Sequence, residues 1–142
     1  MKRFIIITIT ALFSVLVLYL GDKTDILSTS KLESYVKKFN KSDNELYPQH
    51  ISNISALEFL SENIPLIELP NKELEETYYF RWWTFRKHIK STEDGFVITE
   101  FLPEVGWSMK HNTINCPAGH HIYEGRWLKD PKYISEYIDF WL

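Results

Sequence analysis

Cysteine is all but missing: Cys116 stands alone, so no intramolecular disulfide can form and the fold has to be held together by burial. An excess of positive charge is missing too. The 16 lysines and arginines are outnumbered by 19 aspartates and glutamates, and a net charge of −3 offers no field for a phosphate backbone, so no nucleic-acid partner is expected. There is no internal repeat and no low-complexity tract. Established zinc-finger spacing is also lacking, since His111, Cys116, His120 and His121 run as H-x4-C-x3-H-H. Adjacent histidines on a helix diverge by about 100°, so both do not easily face one ion, and no metal is expected. Carboxylates leave no clear calcium spacing, and nothing in the chain calls for a cofactor. Cys116 has no identifiable orienting group or oxyanion donors for a nucleophile, and is read as a buried structural cysteine.

The chain does have apolar and aromatic weight. With 44% hydrophobic and 25% charged residues it has the composition of one ordinary folding domain. Lys2 and Arg3 precede an apolar run over residues 4–20, the charged start and hydrophobic centre of an export signal. Cleavage and retention as an anchor both fit, because the small-x-small site near Tyr19, Leu20 and Gly21 is poor. The expectation is an exported chain, periplasmic, secreted or anchored by residues 4–20, that touches a membrane only through that segment. No cysteine follows the run to carry a lipid. Residues 1–21 are then the signal or anchor, 22–64 a polar lead-in with short helices, and 65–142 the main domain.

In the lead-in, Ser30-Lys31-Leu32-Glu33 reads as a capping box, and Leu32, Tyr35, Val36 and Phe39 share one helical face. Ser55-Ala56-Leu57-Glu58 repeats the start signal, with Pro65 limiting that helix. Asn53-Ile54-Ser55 is a formal glycosylation sequon. Pro70 and Asn71 open the strongest helix, acidic at Glu73, Glu75 and Glu76 and basic at Arg86, Lys87 and His88, as the helix dipole favours. One stripe of it is Leu74, Tyr78, Trp82, Phe85 and Ile89; Tyr79, Trp83 and Arg86 form a second. A short extended segment is expected over residues 96–102, after an Asp94-Gly95 turn. A helix through His120 and Leu128 contains Gly125, which implies close packing or a ligand near the backbone. Asp130-Pro131 starts a last amphipathic helix with Ile134, Tyr137, Ile138 and Trp141. Because that stripe carries no stop signal, the chain is expected to be the N-terminal part of a longer protein.

Residues 73–128 concentrate rings and polar forks, among them Trp107, Tyr123, Trp127, Arg81, His111, Glu100 and Glu124. Such a mixture can stack on and hydrogen-bond a polyhydroxylated ligand, although packing is the plainer reading of any single tryptophan. Trp127 in particular is read as a packing residue.

The strings YYFRWWTFRKHIK, DGFVITEFLP and NTINCPAGHHIYEGRWLKDPKYI resemble the start of the mannosylglycerate-hydrolase-like glycoside hydrolase domain, a six-hairpin glycosidase related to trehalases and processing α-glucosidases. The resemblance covers roughly residues 65–142 and implies a mainly α fold, the first hairpins of a truncated (α/α)6 toroid. It also implies an inverting O-glycosyl hydrolase acting on oligosaccharides, whose catalytic acid and base lie beyond this stretch. No catalytic residue is therefore carried over, and this chain alone is expected to be inactive. The implied substrate wall is Trp107, His111, Asn112, His120, His121, Glu124 and Arg126. Ser108-Met109 and Pro117 depart from the small residues of the family pattern, which leaves the loop shape open. The alternative is a non-catalytic carbohydrate-binding or envelope-anchored interaction protein.

Overall fold

The computed structural model describes residues 27–142. The apolar run at residues 4–20, and with it the export reading, lies outside the described residues. Among the described residues no helix is long and apolar enough to cross a membrane. The described elements are α1 (Ser30–Lys41), α2 (Ala56–Asn63), α3 (Lys72–Lys87), β1 (Ile89–Thr92), β2 (Gly95–Ile98), a 3-10 turn (Lys110–Asn112), α4 (Ala118–Gly125) and α5 (Lys132–Trp141). They make a mainly helical domain with one two-stranded antiparallel hairpin, the class the sequence implies.

Helices α1 and α2 lean on α3, while α5 packs on β2 and α4 on α5. The start of α3 is chemical: the Asn71 side chain accepts from the backbone N–H groups of Glu73 (3.0 Å) and Leu74 (3.1 Å). The other two predicted caps do not form. Ser30 is already the first helical residue of α1, behind Thr29, and Ser55 precedes α2 without a side-chain cap bond.

Both faces of α3 are covered, but the second stripe is the deeper one. Leu32, Val36 and Phe39 of α1 pack with Tyr79 and Trp83, whereas Leu74 is 58% exposed and Ile89 belongs to β1. Tyr79 and Tyr78 also hold the chain that arrives from α2. The Tyr79 hydroxyl accepts from Ile67 N–H (3.1 Å) and donates to Ile67 C=O (2.7 Å), while Tyr78 donates to Pro65 C=O (2.5 Å). Glu75 is buried because it caps that same segment, accepting from Leu69 N–H at 2.6 Å, from Tyr35 and from Lys72. The Leu69 bond foremost keeps its carboxyl below the usual range.

The expected extended segment is shorter and has a partner. β1 pairs antiparallel with β2 from Ile89 opposite Ile98 to Thr92 opposite Gly95. The turn takes its glycine at positive φ (96°). Strand β1 was hidden because Ile89-Lys90-Ser91-Thr92 reads as the basic tail of the preceding helix. Helix α5 covers β2, and its Glu136 carboxylate accepts the free Phe96 N–H at 2.7 Å.

Gly125 ends α4 rather than interrupting it, and close packing explains it. An added Cβ would stand 2.2 Å from Ile134 Cδ1 and 3.0 Å from Phe85 Cζ. Gly125→Ala is therefore expected to cost about 1–3 kcal/mol through overpacking, read as a lower denaturant midpoint. An unchanged midpoint would mean that Ile134 swings clear at no cost.

Candidate functional site

A cleft of about 310 Å³ opens between α3 and α4, and the chain leaving β2 forms part of its wall. Phe80, Arg81, Thr84 and His88 come from α3 and its end, Glu100 from just beyond β2, and His121 and Glu124 from α4. Helical spacing explains two of these contributions. His121 and Glu124 lie three residues apart, so they share a face of α4, whereas His120 turns to solvent. Arg81 closes on Glu124 through one guanidinium nitrogen that donates to both carboxylate oxygens, at 2.8 and 3.0 Å.

Beneath this pair the side chains of Glu100 and His121 are largely withdrawn from solvent. Both Glu100 oxygens are out of contact with solvent and have no hydrogen-bond partner, and burial raises the carboxyl above its ordinary range. His121 Nε2 lies 3.6 Å from Glu100 Oε1, beyond hydrogen-bond reach, and its Nδ1 is 3.0 Å from the Tyr137 hydroxyl. Burial, helped by the nearby His88, His120 and Arg81, pushes the His121 imidazole down to about 4. His88 is lowered for the same first reason, its Nδ1 lying 2.7 Å from Thr99 C=O. A carboxyl whose ionisation is disfavoured by burial thus faces an imidazole held neutral at neutral pH. Glu100 does not pair with Arg81 or Arg86, because Arg81 is taken by Glu124 and Arg86 lies elsewhere in the core.

Of the wall residues the resemblance implies, the cleft gathers His121 and Glu124. His111 and Asn112 line a separate open groove of about 780 Å³, between the Gln49 loop, β1 and the Met109 loop. Within it the Asn112 amide is fully used: Oδ1 accepts from Val105 N–H and Ser108, and Nδ2 donates to Phe101 and Pro103 carbonyls. His111 and Asn112 both hold positive φ (59° and 61°), so that amide bonding fixes a turn that few L residues adopt. Trp107 is 67% exposed, its ring edge-on to Phe101. Arg126 stacks its guanidinium 3.7 Å from the Tyr123 ring centre and 5.0 Å from that of Trp127, all three facing solvent. Trp127 is thus a surface residue, not the packing residue expected, because α4 ends two residues before it.

One further reading changes, and two other groups find their places. Cys116 is exposed, in the turn ahead of α4 and away from the core. Asn53 is buried and bonded to Asp43 and Arg86, which leaves its amide no room for a glycan in this fold. The tight group of ligating side chains among the described residues is Glu93, Asp94 and His111, and Lys110 bonds Asp94 within it. His111 Nε2 meets Asp94 at 2.7 Å, which ties the hairpin turn to the 3-10 turn.

Arg81, His88 and Glu100 were not picked out as wall residues. Arg81 and Glu100 stand in a ring-rich stretch, where Glu100 can be weighed as an acid or base with Glu124 or as an ion-pair partner of an arginine, but no local pattern says that a glutamate after a strand will be turned inward.

No protein-family model matches this chain, and no curated protein matches it. Among solved structures the domain is similar to part of a glycoside hydrolase. That structure is a sialidase, 48% identical, with a TM-score of 0.78 over 81% of this chain and 11% of that one. The likeness supports the glycoside-hydrolase side of the resemblance and does not reach the six-hairpin family that the residue strings suggest. The chain spans about a ninth of the sialidase it matches.

Proposed function

We propose that this chain forms part of an exported glycoside hydrolase acting on oligosaccharides, where it builds a portion of the sugar-binding surface without the catalytic acid and base. The observation that carries this reading is the 48% identity to a sialidase across most of the chain. In this reading α3 and α4 are an outer and an inner helix of the first hairpins of an (α/α)6 toroid. Residues 4–20 direct export. Trp107, His120, Glu124 and Arg126 present open stacking and hydrogen-bonding groups to a saccharide, while His111, Asn112 and His121 shape the loops and helix that hold them.

The absence of the catalytic pair is supported by the state of the cleft. An inverting hydrolase holds two carboxyls roughly 6.5–9.5 Å apart with a water between them. Here Glu124 is tied to Arg81 and Glu100 is turned inward, so neither stands ready to activate a water.

Titrating the full chain with 3′-sialyllactose and with lactose by calorimetry tests the proposal, alongside a hydrolysis assay on the same sugars. Saccharide binding without turnover is expected. Turnover by this chain would refute the missing catalytic pair, and no binding to any oligosaccharide would refute the sugar-surface reading.

A further inference from the structure

Most large rings of this chain go inward: Tyr79, Trp82, Trp83 and Tyr137 are all buried. Two at the end of α4 do not. Tyr123 is 65% exposed and Trp127, four residues on, is 58% exposed. Fraying does not explain this, because the opposite side of the same turn is pinned. Gly125 sits against Ile134 and Phe85, Leu128 is buried, and Lys129 N–H bonds Asn63 C=O at 2.8 Å. The Arg126 guanidinium lies over both rings, closer to Tyr123, so one cation ties the pair together. Arg81 and His121 have partners in Glu124 and Tyr137, whereas the Arg126 guanidinium and the Trp127 indole N–H have no hydrogen-bond acceptor among the described residues. Exposed rings and uncommitted donors therefore coincide on one rigid turn.

We infer that the outward face of α4 and the turn after it form a stacking platform for one sugar ring, with the Trp127 indole against the ring's C–H face and Arg126 donating to its hydroxyls. Tyr123 acts through Arg126: stacking on the phenol ring holds the guanidinium in place and leaves its N–H groups free to bond. A protein partner fits this face less well. A stable protein interface buries roughly 800 Å² on each side, and its core is poor in charged groups. Here the apolar part is two rings, flanked in the chain by exposed His120, Arg126, Lys129 and Asp130 and by the Arg81–Glu124 pair. A pyranose has the matching character on a smaller scale, with C–H groups on its face and hydroxyls at its edge.

The platform rests on the saccharide-binding reading above, and its test separates the two. Indole and backbone N–H signals of the full chain are followed by NMR as lactose or 3′-sialyllactose is added, and the titration is repeated with Trp127→Ala and Arg126→Ala. Shifts centred on the Trp127 indole and on residues 123–128 are expected. Each substitution should weaken binding about tenfold or more. Each should also leave the melting temperature within about 3 °C of the parent, because both side chains face solvent. Trp127→Phe, which keeps a smaller ring, should recover part of the affinity.

Saccharide binding whose shifts map elsewhere, or which survives Trp127→Ala unchanged, overturns the platform and leaves the saccharide-binding reading standing. A fall in melting temperature beyond that margin in Trp127→Ala also overturns it, because the indole would then be holding the fold together. So does a dimer in sedimentation that Trp127→Ala dissolves, since the face would then cover a second copy. Absence of any binding removes both readings together.

Discussion

Arg86→Ala is expected to destabilise the domain by about 3–5 kcal/mol, the cost of emptying a buried site whose remaining polar groups lose their only donor. Arg86 is 0% exposed. It donates to Gln49 (2.9 Å), to Ile51 C=O (2.6 Å) and to the Asn53 side chain, so one guanidinium fixes the loop between α1 and α2. Burial pushes it down to about 10, with Glu45 and Asp43 opposing the shift, so it remains a cation at neutral pH. Asp43 accepts from Lys87 and from Asn53, and Glu45 accepts from the Asn53 N–H at 2.6 Å, which completes the charge balance. Arg86→Lys should recover only part of the loss, since an ammonium cannot spread three bonds across that fork. Chemical denaturation gives the magnitude, and faster amide exchange over residues 43–53 gives the location. A loss below about 1 kcal/mol would show that the loop stands without the arginine.

Acid should weaken the domain earlier than carboxylate titration alone allows. The folded pKa of His121 is about 4 against an ordinary 6.5, so the folded state binds fewer protons there than the unfolded one. Stability therefore falls as pH drops from 6.5 towards 4, and is unaffected by this group above 6.5. The difference corresponds to about 2–3 kcal/mol, and His88 is shifted in the same direction.

Asp43, Glu75 and Asp94 are also held low, but their contributions are lost only below the ordinary carboxylate values of 3.8 and 4.5. Glu100 has the opposite sign, because its raised carboxyl favours the fold at low pH and loses that contribution as pH rises through its folded value. Between pH 6.5 and 4.5 acidification therefore weakens the fold through the histidines while Glu100 opposes the change, and the comparison with His121→Gln isolates the His121 share. Denaturation across that interval should show a declining midpoint that flattens in His121→Gln. A flat parent profile would mean that Glu100 ionises and pairs with a protonated His121 instead.

Much of the scaffold was legible because it is built from local signals. Asn71 ahead of an acidic first turn, the stripe through Leu32, Val36 and Phe39, the Asp94-Gly95 turn and the tight glycine at 125 each act within a few residues. The two α3 stripes were visible as well, but their order of burial was not. That order depends on α1 lying across Tyr79 and Trp83, a contact set by residues more than forty positions away.

The same distance explains the readings that failed. Trp127 and Cys116 belong to types that are often buried, yet both stand where the chain has just left or not yet entered a helix. The sequon at Asn53 was a formal match and no more; Arg86 and Asp43, brought in by folding, claim its side chain.

The amino-acid sequence by itself determined a mainly helical domain without disulfides, because helix starts, stripes and turns are short-range chemistry that one segment can specify. Tertiary structure alone decided that Arg86 is a core strut and that Glu100 and His121 meet in one cleft with the buried Tyr137 hydroxyl behind His121. Those groups come from α3, the chain after β2, α4 and α5, and their hydrogen bonds and desolvation exist only once the elements have closed on one another.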